Sequence, residues 1–317
     1  MSLFGIPKVS VCIPVFNGAS YVGATIDSVL KQNFQDFEIV IVDNCSTDHT
    51  EAIVEEHMLL SEKISFYKNE QNIGIAENFN KCLEYARGEY IKFLCADDLL
   101  LPDCLEQMVA GLDAHSEVSL VCGGRLSINE YGKSFGLHRY SSQTQIVQGH
   151  KAITRCLFGL NFIGEPSAVL FRKSELLARF RNDLPQLMDM DLWFRLLEKG
   201  HLLSIKIALC AIRFHDAQMT QQNINSGKFI EDYIRIFDEF SKKSYVKSNL
   251  WSVFWYKFLM TYRVWLFRKF ISHDMRRETL KNYGILLAYP FMPIIFSVVD
   301  LSRKFVFRLR SFLLGFD

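Results

Sequence analysis

The chain has 317 residues, 49% of them hydrophobic and 22% charged, with a net charge of +1. That is enough apolar material for a sizeable core and too much for a disordered chain. Eight cysteines without one CxxC pair, most of them inside apolar runs, argue against a zinc ribbon or a disulfide scaffold and read as reduced thiols of a cytoplasmic protein.

The N-terminal MSLFGIPKVSV has no basic stretch followed by a long apolar core, so export is not predicted. Val9 to Val15, VSVCIPV, is a nearly continuous apolar run and predicts a buried strand. Val22, Ile26, Val29 and Leu30 then recur at helical spacing, and FEIVIVD predicts a second buried strand that ends at Asp43. Strand, helix and strand in this order make a βαβ unit of a parallel sheet. Asp48 followed by Glu51 reads as a helix cap before AIVEEHM, and ISFYKN as a further strand. Ile75, Phe79, Cys82, Leu83 and Ala86 form a helical stripe that stops at Gly88.

The next strand, YIKFL, runs into CADD and so delivers Asp97 and Asp98. Leu105, Met108, Val109 and Leu112 predict a helix after Pro102, and VSLVCGG another strand. In open α/β sheets ligands bind beyond the carboxyl ends of the strands, which is where Asn17, Asp43, Asp97 and Asp98 fall. Adjacent carboxylates at such an edge suit a divalent cation that carries a phosphorylated ligand. Neither a GxxxxGK[ST] loop nor a GxGxxG fingerprint is present, which weighs against kinase, NTPase and NAD-enzyme chemistry.

The charge is unevenly spread. Residues 242–317 hold 14 Lys or Arg against four acids, a balance of +10, and the remainder stands at −9. In that basic tail cations interleave with rings, as in WYKFLMTYRVWLFRKF, and Trp251, Trp255 and Trp265 lie within it. Rings and cations together suit the headgroup region of an anionic membrane. Nucleic acid is the competing partner for a basic patch, and the aliphatic content argues against it. The longest apolar stretch, GILLAYPFMPIIFSVVD, is broken by Pro290 and Pro293 and falls short of the roughly 20 residues a span needs, so the tail is expected to lie on the membrane or re-enter it.

Taken in order, PVFNG (14–18), VDNCSTD (42–48), NIG (72–74) with Asn78 and Asn80, and CADD resemble the nucleotide-sugar half of the inverting family 2 glycosyltransferases. The resemblance runs over residues 8–215. It implies an α/β fold of the GT-A type, a Rossmann-like, mixed and mainly parallel sheet flanked by helices. The expected division is a catalytic domain at 1–220 and an α-helical appendage at 221–317.

The resemblance also implies roles. Pro14, Val15 and Phe16 would line the nucleotide pocket, Asp43 would accept from the base, and Asn72, Gly74 and Asn78 would border the same pocket. Asp97 is expected near the donor ribose. Asp98 is expected to hold Mn²⁺ or Mg²⁺ on the diphosphate, although the family's usual third acid is here Cys95. MDMDLWFRLLEKG (188–200) is similar to the helix start that supplies the general base. Asp189 matches that base, but Asp191 lies about 200° around the helix, and the choice between the two stays open. Arg195 is expected to pair with a carboxylate. Glu165 and Ser167, in GEPSAVLFRKSEL, stand either near the acceptor or in a core strand. His215, in RFHDAQMT, would bind phosphate or metal.

The implied activity is metal-dependent inverting transfer from a nucleotide sugar to a glycan or lipid-linked acceptor of a surface polysaccharide or lipopolysaccharide. A sugar-phosphate nucleotidyltransferase is the enzyme alternative, although FNGASYVG after the first strand has no Lys or Arg to grip a triphosphate. A non-catalytic glycan-binding scaffold is the other.

Overall fold

The computed structural model describes residues 5–215, 218 and 228–285. Two compact units divide the chain, Met1–Ile153 with Asn161–Gln218, and Thr154–Leu160 with Met219–Asp317.

The first unit is built on a ten-stranded sheet. Its strands are β1 (Val9–Val15), β2 (Phe37–Asp43), β3 (Ile64–Lys68), β4 (Tyr90–Phe93), β5 (Leu99–Leu100), β6 (Val118–Asn129), β7 (Ser134–His138), β8 (Gln145–Val147), β9 (Val169–Arg172) and β10 (His201–Phe214). Along the sheet they run β3-β2-β1-β4-β9-β6-β10-β5, with β7 beside β6 and β8 beside β10. The ladders from β3 to β4 and between β6 and β10 are parallel. Between them β9 is antiparallel to both β4 and β6, so the sheet is mixed. Every residue of β1 and β2 is buried, which is why both read as unbroken apolar runs rather than alternating ones.

Helices α1 (Val22–Leu30), α2 (Thr50–Leu60), α3 (Ile75–Tyr85), α4 (Cys104–Ala114), α5 (Gly149–Leu157) and α6 (Met188–Leu197) occupy the connections. Two local expectations change. Asp48 does not cap α2, whose first flanking residue is His49. Its carboxylate instead accepts from the Thr50 amide at 3.0 Å and, across to the β1–α1 turn, from the Ala19 amide at 3.0 Å. Glu51 is drawn away to Lys68, at 2.5 Å. The stretch GEPSAVLF is also less regular than a strand, since Pro166–Ala168 forms a 3₁₀ turn and β9 starts only at Val169.

In the second unit α7 (Lys228–Phe240), α8 (Leu250–Leu266) and α9 (His273–Tyr283) follow one another. Asn249 and Ser252 close a reciprocal cap on α8. Phe237 stacks on Tyr256 at 3.7 Å, and Tyr283 donates to Asp238 at 2.7 Å. Arg263 is turned inward. It is 6% exposed, lies over the Tyr233 ring and donates to the Gly159 carbonyl. Leu250, Trp251 and Phe254 are exposed at the start of α8. Among the described residues no helix is long and apolar enough to cross a membrane. The proline-broken stretch lies outside the described residues from position 286 on.

Candidate active site

The carboxyl ends of β1, β2 and β4 set the site, because a parallel sheet brings the following turns to one edge. Pro14 and Val15 end β1 and are buried, while Phe16 is 44% exposed. Asn17 follows with φ 51°, a left-handed conformation that asparagine tolerates. Its side chain accepts from the Thr47 amide at 2.9 Å, and its own amide donates to Ser46 Oγ at 2.7 Å. The turns after β1 and β2 are thus tied to each other. Asp43 is fully buried and its carboxylate takes the Ser46 amide at 3.2 Å and the Ser46 hydroxyl.

Beside this turn lies a lattice of asparagines. Asn44 donates to Asn72 Oδ1 at 2.9 Å and accepts from the Ile73 amide at 2.9 Å, while Asn69 donates to Asn44 and Asn78. Asn72 and Gly74 are exposed, and Gly74 has φ 85°, which favours glycine. Asn78 is 3% exposed and donates to the Val42 carbonyl. Its amide therefore fastens the end of β2 from within.

The second cluster starts after β4. Asp97 and Asp98 sit in the turn between β4 and β5 and do not cap α4, which starts at Cys104. Asp98 is 2% exposed, and each of its oxygens already has a donor, Ser167 Oγ at 2.5 Å and the Arg213 amide at 2.9 Å. Burial, and then the charge of Asp97, push the Asp98 carboxyl well above the ordinary carboxylate range. Asp97 is more open, with a quarter of its side chain exposed, and its Oδ2 lies 3.0 Å from His215 Nε2. Cys95 Sγ and one carboxylate oxygen from each of Asp97 and Asp98 lie within 4.8 Å of one another. Carboxylate oxygens are donors that fit Mn²⁺ or Mg²⁺.

Three residues that hold this turn carry weight the sequence reading did not give them. Ser167 is fully buried, so its hydroxyl serves Asp98 and the Cys95 amide (3.0 Å). Below it the buried Lys92 donates to the Ser167 and Val169 carbonyls. Arg213 donates through Nε to the Asp97 carbonyl at 2.8 Å and lies over the Tyr21 ring. Tyr21 in turn packs on His215, with centroids 4.9 Å apart. Arg213 and His215 are two residues apart at the end of β10, and residues i and i+2 of a strand share a face. That spacing was the readable signal for Arg213.

The two carboxylates at the start of α6 have different surroundings. Asp191 is fully buried and accepts from Arg195 Nε at 2.8 Å and Nη2 at 3.0 Å, with Arg181 Nη1 at 3.4 Å. Among the described residues Asp189 has no such guanidinium partner. Burial raises its pKa to about 7, against the amide of Met190, which donates to it at 2.7 Å. Glu165 adds negative charge nearby, and is itself paired with Arg125 at 2.5 Å. The Cys95 thiol is pushed up first by burial and then by Asp98, Asp97 and, further down, Asp189.

Comparison with known proteins bears on the family and the fold. The family model "Glycosyl transferase family 2" matches residues 10–178. An uncharacterized glycosyltransferase of Rickettsia typhi is 32% identical, covering 75% of this chain and 72% of its own. The putative teichuronic acid biosynthesis glycosyltransferase TuaG of Bacillus subtilis is 41% identical over 32% of this chain and 41% of that protein. Among solved structures, S. aureus TarS 1–349 in complex with UDP-GlcNAc superposes with a TM-score of 0.62 at 22% identity, covering 82% of this chain and 73% of that one. That likeness speaks for the fold.

Proposed function

The chain belongs to glycosyl transferase family 2 and is a glycosyltransferase, and on that premise we propose that it moves a sugar, with inversion, from a nucleoside-diphosphate sugar to a hydroxyl of a glycan or lipid-linked acceptor. The observation that carries the reading is the placing of Asp97 and Asp98 beside Cys95 Sγ after β4, together with a buried carboxyl, Asp189, at the start of α6 whose pKa is raised to about 7. The UDP-GlcNAc complex of the TarS neighbour supports a nucleotide-sugar donor, and the name of TuaG supports a cell-surface polysaccharide as destination.

In this reading Pro14, Val15 and Phe16 border the nucleotide and Asp43, held by Ser46, faces the base, with Asn72 and Gly74 at the rim and Asn78 behind them. Asp189 accepts the proton of the acceptor hydroxyl while its oxygen attacks the anomeric carbon. The bond from that carbon to the diphosphate breaks on the opposite face, which inverts the configuration. Asp191 is assigned to hold α6 through Arg195. The geometry favours Asp97 and His215 as the residues that face the cation, and Asp98 as the buried carboxylate that shapes their turn, the reverse of the division expected from CADD. Bound there, Mn²⁺ or Mg²⁺ would offset the diphosphate charge in a domain that is itself acidic.

A thermal-shift screen of UDP-, GDP-, dTDP- and CMP-sugars with and without Mn²⁺ tests the donor side, since a ligand of the folded state raises its apparent stability. One donor should raise the midpoint, and more so with Mn²⁺; no shift with any of them would sink the proposal. Peripheral attachment to the inner face of an anionic membrane is the proposed location. Its support is Trp251 and Phe254, exposed on α8 of the tail that carries the +10 balance. Replacing both by Ala should release the protein from vesicles containing anionic lipid.

A further inference from the structure

Cys95 differs from most of the other cysteines. Cys12, Cys82, Cys104, Cys122, Cys156 and Cys210 are buried in the core, whereas Cys95 is partly exposed and its sulfur shares a space with two carboxylates. Ligand atoms held 2.0–2.6 Å from a common ion lie at most about 5 Å from each other, and the 4.8 Å limit of this group falls within that reach. The backbone of Cys95 is fixed at both ends. Its amide donates to Ser167 Oγ at 3.0 Å and its carbonyl accepts from the Asp98 amide at 3.0 Å. The same Ser167 hydroxyl donates to Asp98, so sulfur and carboxylates are set by one turn. His215, 3.0 Å from Asp97, adds a nitrogen donor on the open side.

We infer that the Cys95 sulfur is itself a ligand of the divalent cation, and that it turns the site toward Co²⁺ or Zn²⁺ and away from Mg²⁺. This rests on the reading of Asp97 and His215 as cation-facing residues. The chemistry is a ligand exchange: the thiol gives its proton to solvent, the sulfur gives an electron pair to the cation, a bound water leaves, and no oxidation state changes. Soft sulfur suits the later first-row cations and is a poor partner for Mg²⁺, which prefers oxygen.

Titration of the intact protein with Co²⁺ tests the inference by absorption spectroscopy, with binding followed in parallel by thermal shift. The expected result is a sulfur-to-cobalt charge-transfer band that disappears in Cys95→Ser, with Co²⁺ bound about tenfold more weakly in that variant. Cys95→Asp, an oxygen donor at the same place, should move the ratio of Mg²⁺ to Co²⁺ affinity toward Mg²⁺ by about tenfold. Co²⁺ binding that raises the midpoint without a sulfur band, equally in wild type and Cys95→Ser, would overturn the thiol ligand and leave the cation site standing. Absence of any Co²⁺ or Mn²⁺ binding to the wild type would overturn both.

Discussion

Around the ends of β1 and β2, Asn44, Asn69, Asn72 and Asn78 answer one another's amides and Ser46 answers Asp43, whereas a second set holds Asp97 and Asp98 beside the Cys95 sulfur and the buried Asp189 at the start of α6. The first cluster resembles a finished hydrogen-bond network, in which buried polar groups cost little because each has a partner. The second keeps like charges close together out of water, and two of its carboxyls are displaced upward from their ordinary range. A fold tolerates such an arrangement at the expense of stability, and functional sites are where that expense is usually found. On the proposed function, the difference corresponds to stability in the asparagine lattice and chemistry at the carboxylates.

The largest expected effect comes from Asp189→Asn. Removing a general base should lower kcat by about 10³-fold, measured as transfer from the donor that the screen identifies. Stability should move the other way. The Asp189 pKa is raised to about 7 in the folded protein, against about 3.9 in an unfolded chain, so the folded state binds its proton more tightly. The favourable contribution of that proton is complete below pH 4 and lost as pH rises through 7. At pH 8 the wild type thus carries a penalty of about 4 kcal/mol that Asn does not. The variant should melt higher than the wild type at pH 8 and show no such gain at pH 4. A variant that is both inactive and less stable at pH 8 would return Asp189 to the first kind of cluster.

The same carboxyl sets the pH profile. Below its pKa of about 7, kcat/KM should fall about tenfold per pH unit, and above it the rate should level off. A profile flat from pH 5 to pH 8 would mean that another group takes the proton.

On the quiet side of the comparison, Asn78→Ala takes one hydrogen bond each from the Val42 carbonyl and the Asn69 amide, which keeps Asn44. The cost should be about 2 kcal/mol in denaturant unfolding, with kcat changed only a few-fold. A collapse of kcat at unchanged stability would make Asn78 part of the chemistry.

Sequence alone made the fold readable where burial on both faces left continuous apolar runs. VSVCIPV and FEIVIVD match β1 and β2 residue for residue. It was less informative where polar side chains bond across distant turns. Nothing local to Asp48 shows that its oxygen serves Ala19, and nothing local to CADD shows Ser167, 69 residues on, beneath Asp98. The partners of Asp97 and Asp98 were illegible for the same reason, because Ser167, Arg213 and His215 come from distant turns and strands. Arg263 looked like one more surface cation in a basic tail, and only packing on Tyr233 turns it inward.

The finest test separates the two aspartates of α6. Asp191→Asn removes a charge from Arg195 and Arg181, but both arginines keep about 30% of their side chains in water. Solvent can take over part of their pairing, and Asn retains one acceptor, so the loss should be about 1 kcal/mol. A somewhat looser α6 could lower kcat a little, yet the group that titrates would be untouched. The midpoint of the pH–rate profile should therefore stay at about 7, where the Asp189 carboxyl places it. A midpoint that moved or vanished in Asp191→Asn, while surviving in Asp189→Asn, would exchange the two roles and put the base beside the arginines.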